Sequence, residues 1–380
     1  MIILYSGFDG LDLALKLNIS DEFDTLLAEL KTDAAEIDGP VGGDWKGVPF
    51  TVQPTGARGG YAYRLDTGPD GEIWFLKRPN KNDPWGARLS AKSAALLCHG
   101  LPGWRARVER LAGLFSGVSE PVGVSISRVD VAVDILDPDF VPDDDYFVMH
   151  SRTGKKTIGE LIETNGVSGR VTSITVGKMP GRQTILYDKR EEVMAKSKRE
   201  WPVIWNKALE RRGLPHLNMA DPSVSRVWRI ETRAGKDHLA NRWHVRTWAD
   251  LSHVLPLMLQ AAMEDIRYCA PTADSNRARW PTHPMWAGAL TEMVSCVERS
   301  IPVLEPADYR LITREERCAV IERQMLGLAV SYAVLHGRPK SEFEDFLRMV
   351  PDRLLSISLR HPTSLATRMQ RAADRFNGLG

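Results

Sequence analysis

The chain has few cysteines, and none of them is spaced as metal ligands or disulfide partners usually are. Its four cysteines are scattered and include no C-x-x-C pair: Cys98, Cys269, Cys296 and Cys318. This distribution argues against a zinc site and against the disulfide framework of small secreted domains. It is typical of a protein in a reducing compartment, so we expect the chain to be cytoplasmic.

Long apolar runs and targeting signals are also missing from the sequence. A helix that spans a bilayer needs roughly 18 to 20 consecutive apolar residues, and no run approaches this length. The apolar N-terminal stretch contains Asp9 and Asp12 and has no basic segment before it, unlike a signal peptide. We therefore expect no membrane partner.

Charge of either sign is not in excess overall, but it is unevenly distributed along the chain. The formal net charge is +1. Residues 1–150 contain 14 Lys and Arg against 23 Asp and Glu, whereas residues 151–250 contain 20 against 11. The middle of the chain is therefore basic, which is typical either of a polyanion-binding surface or of an ordinary solvated face.

Two kinds of pattern are present along the chain. Alternating residues and turn signals predict strands at 2–5, 49–52, 60–65, 72–76, 89–97, 122–135, 171–177, 183–189 and 224–233. Helical spacing predicts helices at 21–30, 102–115, 191–209, 251–269, 285–299, 314–336 and 342–355. We predict an α+β fold in which residues 1–247 form a catalytic domain on a mostly antiparallel sheet. Residues 248–380 are predicted to form an all-α C-terminal region with a DNA-binding or dimerising role.

The clearest strand carries two carboxylates on one face. From Arg128 onward the alternation is strict, so that Arg128, Asp130 and Asp134 share one face and aliphatic residues occupy the other. Aspartate is depleted in strands and like charges repel, so this face needs a compensating cation. That cation is either Arg128 itself or a metal ion.

Two further predicted strands carry polar residues in the same way. Tyr187 and Lys189 share one face of the first, and Arg229, Glu231 and Arg233 share one face of the second. If the three strands are neighbours, a tyrosine lies beside carboxylates, the ligands that Mg²⁺ and Mn²⁺ prefer. Because a metal or cation favours the phenolate, the predicted chemistry is attack by Tyr187 on a phosphodiester.

Together these motifs resemble the replication initiation factor (Rep_trans-type) family of rolling-circle replication initiators and related relaxases. The motifs lie within residues 122–235 and are Arg128–Asp134, Ser173–Gly177, Ile185–Glu191 and Trp228–Arg233. The resemblance implies an enzyme that nicks and religates one strand at a plasmid or phage origin. Its tyrosine would become joined to the 5′ end of the cut strand.

The resemblance also implies roles for individual residues. Tyr187 matches the nucleophile, and Lys189 and Arg128 match basic positions that would steady the phosphate or the phenolate. The acidic positions, which imply a Mg²⁺ or Mn²⁺ cofactor, are matched by Asp130, Asp134 and Glu231. The basic residues that we expect to contact DNA are Lys178, Arg182, Arg190, Arg229 and Arg233.

The implied partner is origin DNA, both as duplex and as an exposed single strand. A host helicase and a second copy of the chain are further expected partners. Tryptophans in basic surroundings could stack on unpaired bases, and we expect this of Trp201, Trp205 and Trp243.

Other classes of DNA-binding protein are alternatives to this interpretation. Histidine-pair nickases need two histidines that flank one apolar residue on a strand, and no such triplet occurs. A tyrosine recombinase needs helical arginines, a histidine and a C-terminal tyrosine; residues 242–246 resemble only part of that set. The remaining alternative is a non-catalytic plasmid or phage DNA-binding protein that uses the same basic surface.

Overall fold

The computed structural model describes residues 1–118, 123–149, 162–299, 301–360, 362–376 and 378–379. The segment 157–163, whose pattern favours neither helix nor strand, lies mostly outside these ranges. The described strands are β1 (Ile2–Leu15), β2 (Val41–Trp45), β3 (Val48–Val52), β4 (Tyr63–Asp66), β5 (Glu72–Leu76), β6 (Ala87–Ala91), β7 (Val124–Leu136), β8 (Phe147–Met149), β9 (Ile162–Val167), β10 (Arg170–Gly177), β11 (Arg182–Asp188), β12 (Val227–Gly235) and β13 (Ile266–Tyr268).

Helices occur between and after these strands. They are α1 (Asp21–Ile37), α2 (Ser93–Ser116), α3 (Lys189–Lys196), α4 (Glu200–Glu210), α5 (Pro222–Ser225), α6 (Trp248–Asp265), α7 (Pro284–Arg299), α8 (Pro306–Leu335), α9 (Phe343–Arg360) and α10 (Pro362–Arg375). Short helical turns lie at Asp144–Tyr146, His238–Arg242, Arg277–Arg279 and Lys340–Glu342.

Eleven of the described strands form one antiparallel sheet, in the order β2-β3-β4-β5-β6-β1-β7-β12-β11-β10-β9. The predicted α+β class and mostly antiparallel sheet are thus confirmed. Strand β1 lies near the middle, because it pairs with β7 from Ile2 to Leu15 and with β6 from Leu11 to Leu15. It therefore joins the two halves of the sheet.

The two faces of the sheet differ in polarity. On one face, Val131, Val133 and Ile230 are fully buried in a core that also includes residues of α2, α6 and α7. The other face carries the charged residues of β7 and β12. Helices α3 and α4 cover only one end of that second face, where Trp201 and Trp205 pack in a smaller cluster. The rest of the polar face is left open by these two helices.

Three local predictions differ from the structure. The predicted strand 89–97 ends at Ala91, and α2 begins at Ser93. The predicted helix 191–209 is two helices, because Ser197 adopts a left-handed conformation (φ 53°) that ends α3. Strand β1 is much longer than 2–5; glycines and aspartates, which are depleted in strands, hide its continuation in the sequence.

The helical region after residue 248 divides into two parts. Helices α6 and α7 share the core of the sheet, through residues such as Leu259 and Trp286. Helix α8 is held near the β4–β5 turn by Arg310, which pairs with Asp70 at 2.9 Å. By length and composition alone α8 could cross a membrane, and its apolar window is 11 % buried. Glu322 and Arg323 interrupt its apolar residues, so this helix contains no uninterrupted apolar run of 18 residues.

Candidate active site

The three charged strand faces predicted from the sequence are neighbours in the sheet. Strand β12 lies between β7 and β11. Its register places Arg229 opposite both Asp134 and Tyr187, and places Arg233 opposite Asp130. The predicted juxtaposition is thus confirmed, and these side chains share the polar face.

Tyr187 lies at the end of β11, at the border of the part that α3 covers. Its hydroxyl is 3.4 Å from a carboxylate oxygen of Glu231 and 3.5 Å from the Lys189 ammonium nitrogen. The ring is partly buried, and burial raises the pKa of the phenol well above its ordinary value. In the free protein the phenol is therefore protonated at neutral pH.

Lys189 comes close to Tyr187 because the chain turns into a helix there. We predicted Lys189 as the last residue of the strand, but it is the first residue of α3, which Asp188 caps by accepting from the Glu191 amide at 2.9 Å. The Lys189 side chain is buried, and burial together with the charge of Arg229 lowers its pKa.

An acidic side chain of α3 and a tryptophan of α4 hold that ammonium group. Its nitrogen lies 2.6 Å from Glu192 and 4.7 Å from the centre of the Trp201 ring. Burial opposes ionisation of Glu192, but Lys189 and Lys198 outweigh it and lower the pKa of that carboxyl. A charged pair is thus held beside the Tyr187 hydroxyl.

Arg229 and Asp134 form a fully buried ion pair at the centre of the covered end. The guanidinium donates to both oxygens of Asp134, at 2.5 and 2.9 Å, and to Asp9 of β1 at 2.8 Å. Trp205 donates to Asp134 at 2.9 Å, and the Trp201 ring lies 4.1 Å from the guanidinium. The positions predicted for DNA contact and metal binding here therefore bind each other.

The other two predicted metal ligands lie on the part of the polar face that α3 and α4 leave uncovered, but both carboxylates are themselves buried. Asp130 accepts from Arg128 at 2.6 and 2.9 Å, and Glu231 accepts from Arg233 at 2.6 Å. Burial raises the pKa of Asp130 to about 6. Gly10 lies opposite Asp130, and a Cβ there would come within 2.7 Å of its carboxylate. Glycine at position 10 therefore leaves room for this carboxylate.

No group of three carboxylates, imidazoles or thiols within the described ranges is arranged to hold a metal ion. Asp130 and Glu231 are the two predicted ligands whose arginine partners are partly exposed. Two carboxylates are enough for Mg²⁺ when substrate phosphate and water complete its shell. The ion would have to displace the arginines that now occupy both groups.

The other basic residues predicted to bind DNA have different surroundings. Lys178 is exposed in the β10–β11 turn. Arg182 pairs with Asp265 at 3.1 Å, and Arg190 donates to Ser225 at 2.9 Å, so both have partners within the protein. Arg233 is 30 % exposed beside Glu231.

Two contributions to this site are not evident from the sequence. Asp9 completes the ring of partners around Arg229, and it lies in a stretch whose strand pattern is weak. Trp201 and Trp205 are buried, so the expectation that they stack on bases is wrong. Trp243 is half-buried and donates to His238 at 3.1 Å. The helical spacing of Trp201 and Trp205 was the available signal for a buried helix face.

An open groove runs beside Tyr187 on the β10 side. It is lined by hydroxyl residues of β10, by Tyr187 and Arg233, and by residues of α3 that include Glu191, Glu192 and Lys196. Hydroxyl and basic side chains are donors of the kind that contact phosphate oxygens, whereas the carboxylates are not. The groove leaves one side of Tyr187 accessible.

Comparison with known proteins gives a distant likeness to a solved structure. No family model matches the chain, and no curated protein matches it. Among solved structures, a rolling circle replication initiator protein from Geobacillus stearothermophilus is similar, with a TM-score of 0.39 and 16 % sequence identity. The alignment covers 79 % of this chain and 98 % of that one. At this TM-score and identity, the likeness carries no reaction and no site residue over to this chain.

Removing the charge of Asp134, the partner of Arg229, should lower the stability of the fold. We expect Asp134→Asn to lower the free energy of unfolding by about 3 to 5 kcal/mol, because a buried charge loses its counter-charge. Urea unfolding followed by tryptophan fluorescence measures this. The control is Glu109→Gln, which removes the exposed pair with Arg105 and should change stability little. Equal stability of the two variants would contradict the prediction.

Removing the Tyr187 hydroxyl should leave the fold intact. Its two contacts are at the distance limit for hydrogen bonds, so Tyr187→Phe should change the free energy of unfolding by less than about 1 kcal/mol. Tyr5→Phe is the matched comparison, because that buried hydroxyl donates to the Phe8 carbonyl at 3.2 Å. Thermal unfolding should rank Tyr5→Phe as the less stable variant; the reverse order would be a failure.

Proposed function

We propose that the chain is a metal-dependent enzyme that nicks and religates one DNA strand at a replication origin through Tyr187. The observation that supports this most is the pairing of the Tyr187 hydroxyl with a carboxylate and an ammonium group at an open groove. A tyrosine that only packs in a strand has no need of either neighbour. The resemblance of the sequence motifs to rolling-circle initiators gives the reaction its proposed biological setting.

The proposed reaction exchanges one phosphoester for another. The Tyr187 oxygen attacks the phosphorus, the bond from phosphorus to the 3′ oxygen breaks, and the 5′ phosphate becomes joined to the tyrosine. Glu231 is positioned to accept the phenolic proton, and the departing 3′ oxygen takes a proton from water. Because the phosphotyrosine bond keeps the phosphodiester energy, the same steps in reverse rejoin the strand.

Cations near Tyr187 offset part of what disfavours its phenolate. Burial and the carboxylates of Glu231, Asp9 and Glu192 hold the pKa of the phenol above its ordinary value, and the positive charge of Arg229 acts in the opposite direction. The ammonium of Lys189, at 3.5 Å, is close enough to stabilise the developing negative charge. These fixed cations reduce the reorganisation needed when the phenol ionises.

Asp130 and Glu231 would hold the proposed Mg²⁺ or Mn²⁺. Both carboxylates are buried, but each is paired with an arginine that is partly exposed. Asp134 is less suited because both of its oxygens bond Arg229, which is fully buried. A bound divalent ion supplies positive charge for the negative charge that develops on the phosphate. Arg128 and Arg233, released from the carboxylates, would be free to contact phosphate oxygens.

The nucleophile can be tested by trapping the covalent intermediate. The wild-type chain is incubated with Mn²⁺ and a 3′-labelled single strand that contains the origin of the replicon encoding it. A labelled protein band that survives denaturation should form. Tyr187→Phe should give none, and Tyr63→Phe, on the distant strand β4, should give the wild-type amount. Lys189→Met should slow adduct formation by about 100-fold or more, as loss of an electrostatic stabiliser does.

Two outcomes of that experiment would count against the proposal. An adduct formed by Tyr187→Phe would show that another residue is the nucleophile. If the wild type binds origin DNA and never forms an adduct, the non-catalytic DNA-binding alternative is correct.

The metal ligands can be tested by titration. We expect Asp130→Asn and Glu231→Gln each to raise the Mn²⁺ concentration at half-maximal adduct formation. The increase should be at least roughly 10- to 100-fold, because loss of a residue that only supports a metal ligand already weakens metal binding by that much. Lys178→Gln is the control, because Lys178 is exposed and bears no carboxylate. Unchanged Mn²⁺ dependence in both acidic variants would contradict the assignment.

A further inference from the structure

The N-terminal half of the sheet carries a second set of residues on the open polar face. In β5, the side chains of Glu72, Trp74 and Leu76 are fully buried in the core, and Phe75 lies on the opposite, half-exposed face. The register places Phe75 between Arg64 of β4 and Arg88 of β6. An aromatic ring is thus flanked by a guanidinium on each side.

Ring contacts join these residues into one surface. The guanidinium of Arg88 lies 5.3 Å from the centre of the Phe75 ring, and the Tyr61 ring lies 6.4 Å from it. The Lys77 nitrogen is 4.5 Å from the centre of the Tyr61 ring. We call Tyr61, Arg64, Phe75, Lys77 and Arg88 the aromatic–basic platform.

The two arginines of the platform have exposed side chains. Neither guanidinium makes an ion pair or a hydrogen bond within the part of the chain that the structure describes, in contrast to Arg128, which pairs with Asp130. Unpaired guanidinium groups beside a half-exposed ring fit a ligand that is both anionic and aromatic.

The platform is on the same face of the sheet as Tyr187. Asp12 of β1 pairs across the sheet with Arg128 on one side and with Ser90 of β6 on the other, where the two side chains are hydrogen-bonded. Ser90 and Arg88 alternate on one face of β6. A row of arginines therefore crosses the face diagonally from the site, in the order Arg233, Arg128, Arg88 and Arg64.

We propose that this platform binds the unpaired strand that leads to Tyr187, by stacking its bases on Phe75 and Tyr61. Single-strand binding surfaces combine basic side chains that follow the backbone with aromatic rings on which bases stack. The identity of the ligand rests on the proposed function, since an exposed strand is the substrate there. The acidic composition of residues 1–150 gave no indication of this surface.

The distance from the site fits an extended strand. Strand β5 is five positions from β11 in the sheet, or about 24 Å at about 4.8 Å per strand. Across the sheet, Phe75 aligns with Ala14 of β1 and Tyr187 aligns with Tyr5 of β1. These two positions are nine residues, or about 30 Å, apart along β1. The diagonal of about 40 Å corresponds to about 12 nucleotides at the duplex rise of about 3.4 Å each, and an extended strand covers it with fewer.

The test measures binding without chemistry. The full-length Tyr187→Phe protein is titrated into a fluorescent oligothymidylate of about 20 nucleotides, long enough to cover the path. Adding Phe75→Leu should weaken binding about fivefold or more, as loss of a stacking aromatic does. Ile73→Val, two residues away on the same face of β5, should leave binding unchanged.

Salt dependence gives a second readout that does not depend on Phe75. Arg88→Gln should reduce the slope of log affinity against log salt by about 0.7, the value for one phosphate contact with a single strand. Arg348→Gln, an exposed arginine on α9, should leave the slope unchanged. Because Arg88 is exposed, this variant tests the surface even if Phe75→Leu unfolds.

The results separate the platform from the proposed reaction. Unchanged affinity in folded Phe75→Leu and an unchanged slope in Arg88→Gln would overturn the platform, even if the wild type forms its adduct. Absence of single-strand binding by the Tyr187→Phe protein would overturn it as well. The expected losses with no adduct from the wild type would support the platform and count against the nicking reaction alone.

Discussion

The buried pair of Arg229 and Asp134 is the interaction on which the site depends. Two fully buried charges are costly unless every donor and acceptor is satisfied. Here Asp9 and the Trp201 ring contact the guanidinium, and Trp205 donates to Asp134, so the pair has further partners on both sides. Strands β1, β7 and β12 and helix α4 must therefore all be in place together. That requirement fixes α4 over the sheet, and α4 in turn keeps Lys189 beside Tyr187. The guanidinium of Arg229, which the sequence pattern predicted as a contact for DNA, is thus an internal support for the surroundings of Tyr187.

The polar face has one end that α3 and α4 cover and a remainder that they leave uncovered. The two parts hold their charged side chains in different ways. At the closed end, low exposure strengthens each electrostatic contact and holds side chains in fixed positions. On the open part, Arg128 and Arg233 hold Asp130 and Glu231 and remain partly exposed. Cations that can exchange partners suit a surface that must accept phosphate, whereas the closed end suits a group that must keep its orientation.

The strands of the site could be predicted from the sequence because alternation of polar and apolar residues is a local signal. Alternation over β7 and β12 determines which side chains share a face, and the order of motifs suggested that the strands meet. It did not reveal which end of that face a helix covers, since this depends on packing between distant segments. For this reason the sequence pattern predicted that Arg229 contacts DNA and that Trp201 stacks on unpaired bases, whereas both side chains are buried. The long β1 and its Asp9 were missed because glycine and aspartate weaken a strand pattern whose stability comes from two neighbours.

The position of β1 also has a consequence for how the molecule assembles. Ile2 lies opposite Leu136, whereas Leu15 lies opposite Ala87 on the other side. During synthesis, the strands of the N-terminal half can pair soon after they emerge, but one side of β1 waits for β7 and for β12 beyond it. Such distant pairings are slow to form, and an unpaired strand edge invites association with other chains. The half of the sheet that contains Tyr187 is thus completed last, because β7 keeps an unpaired edge until β12, which ends at Gly235, has been made.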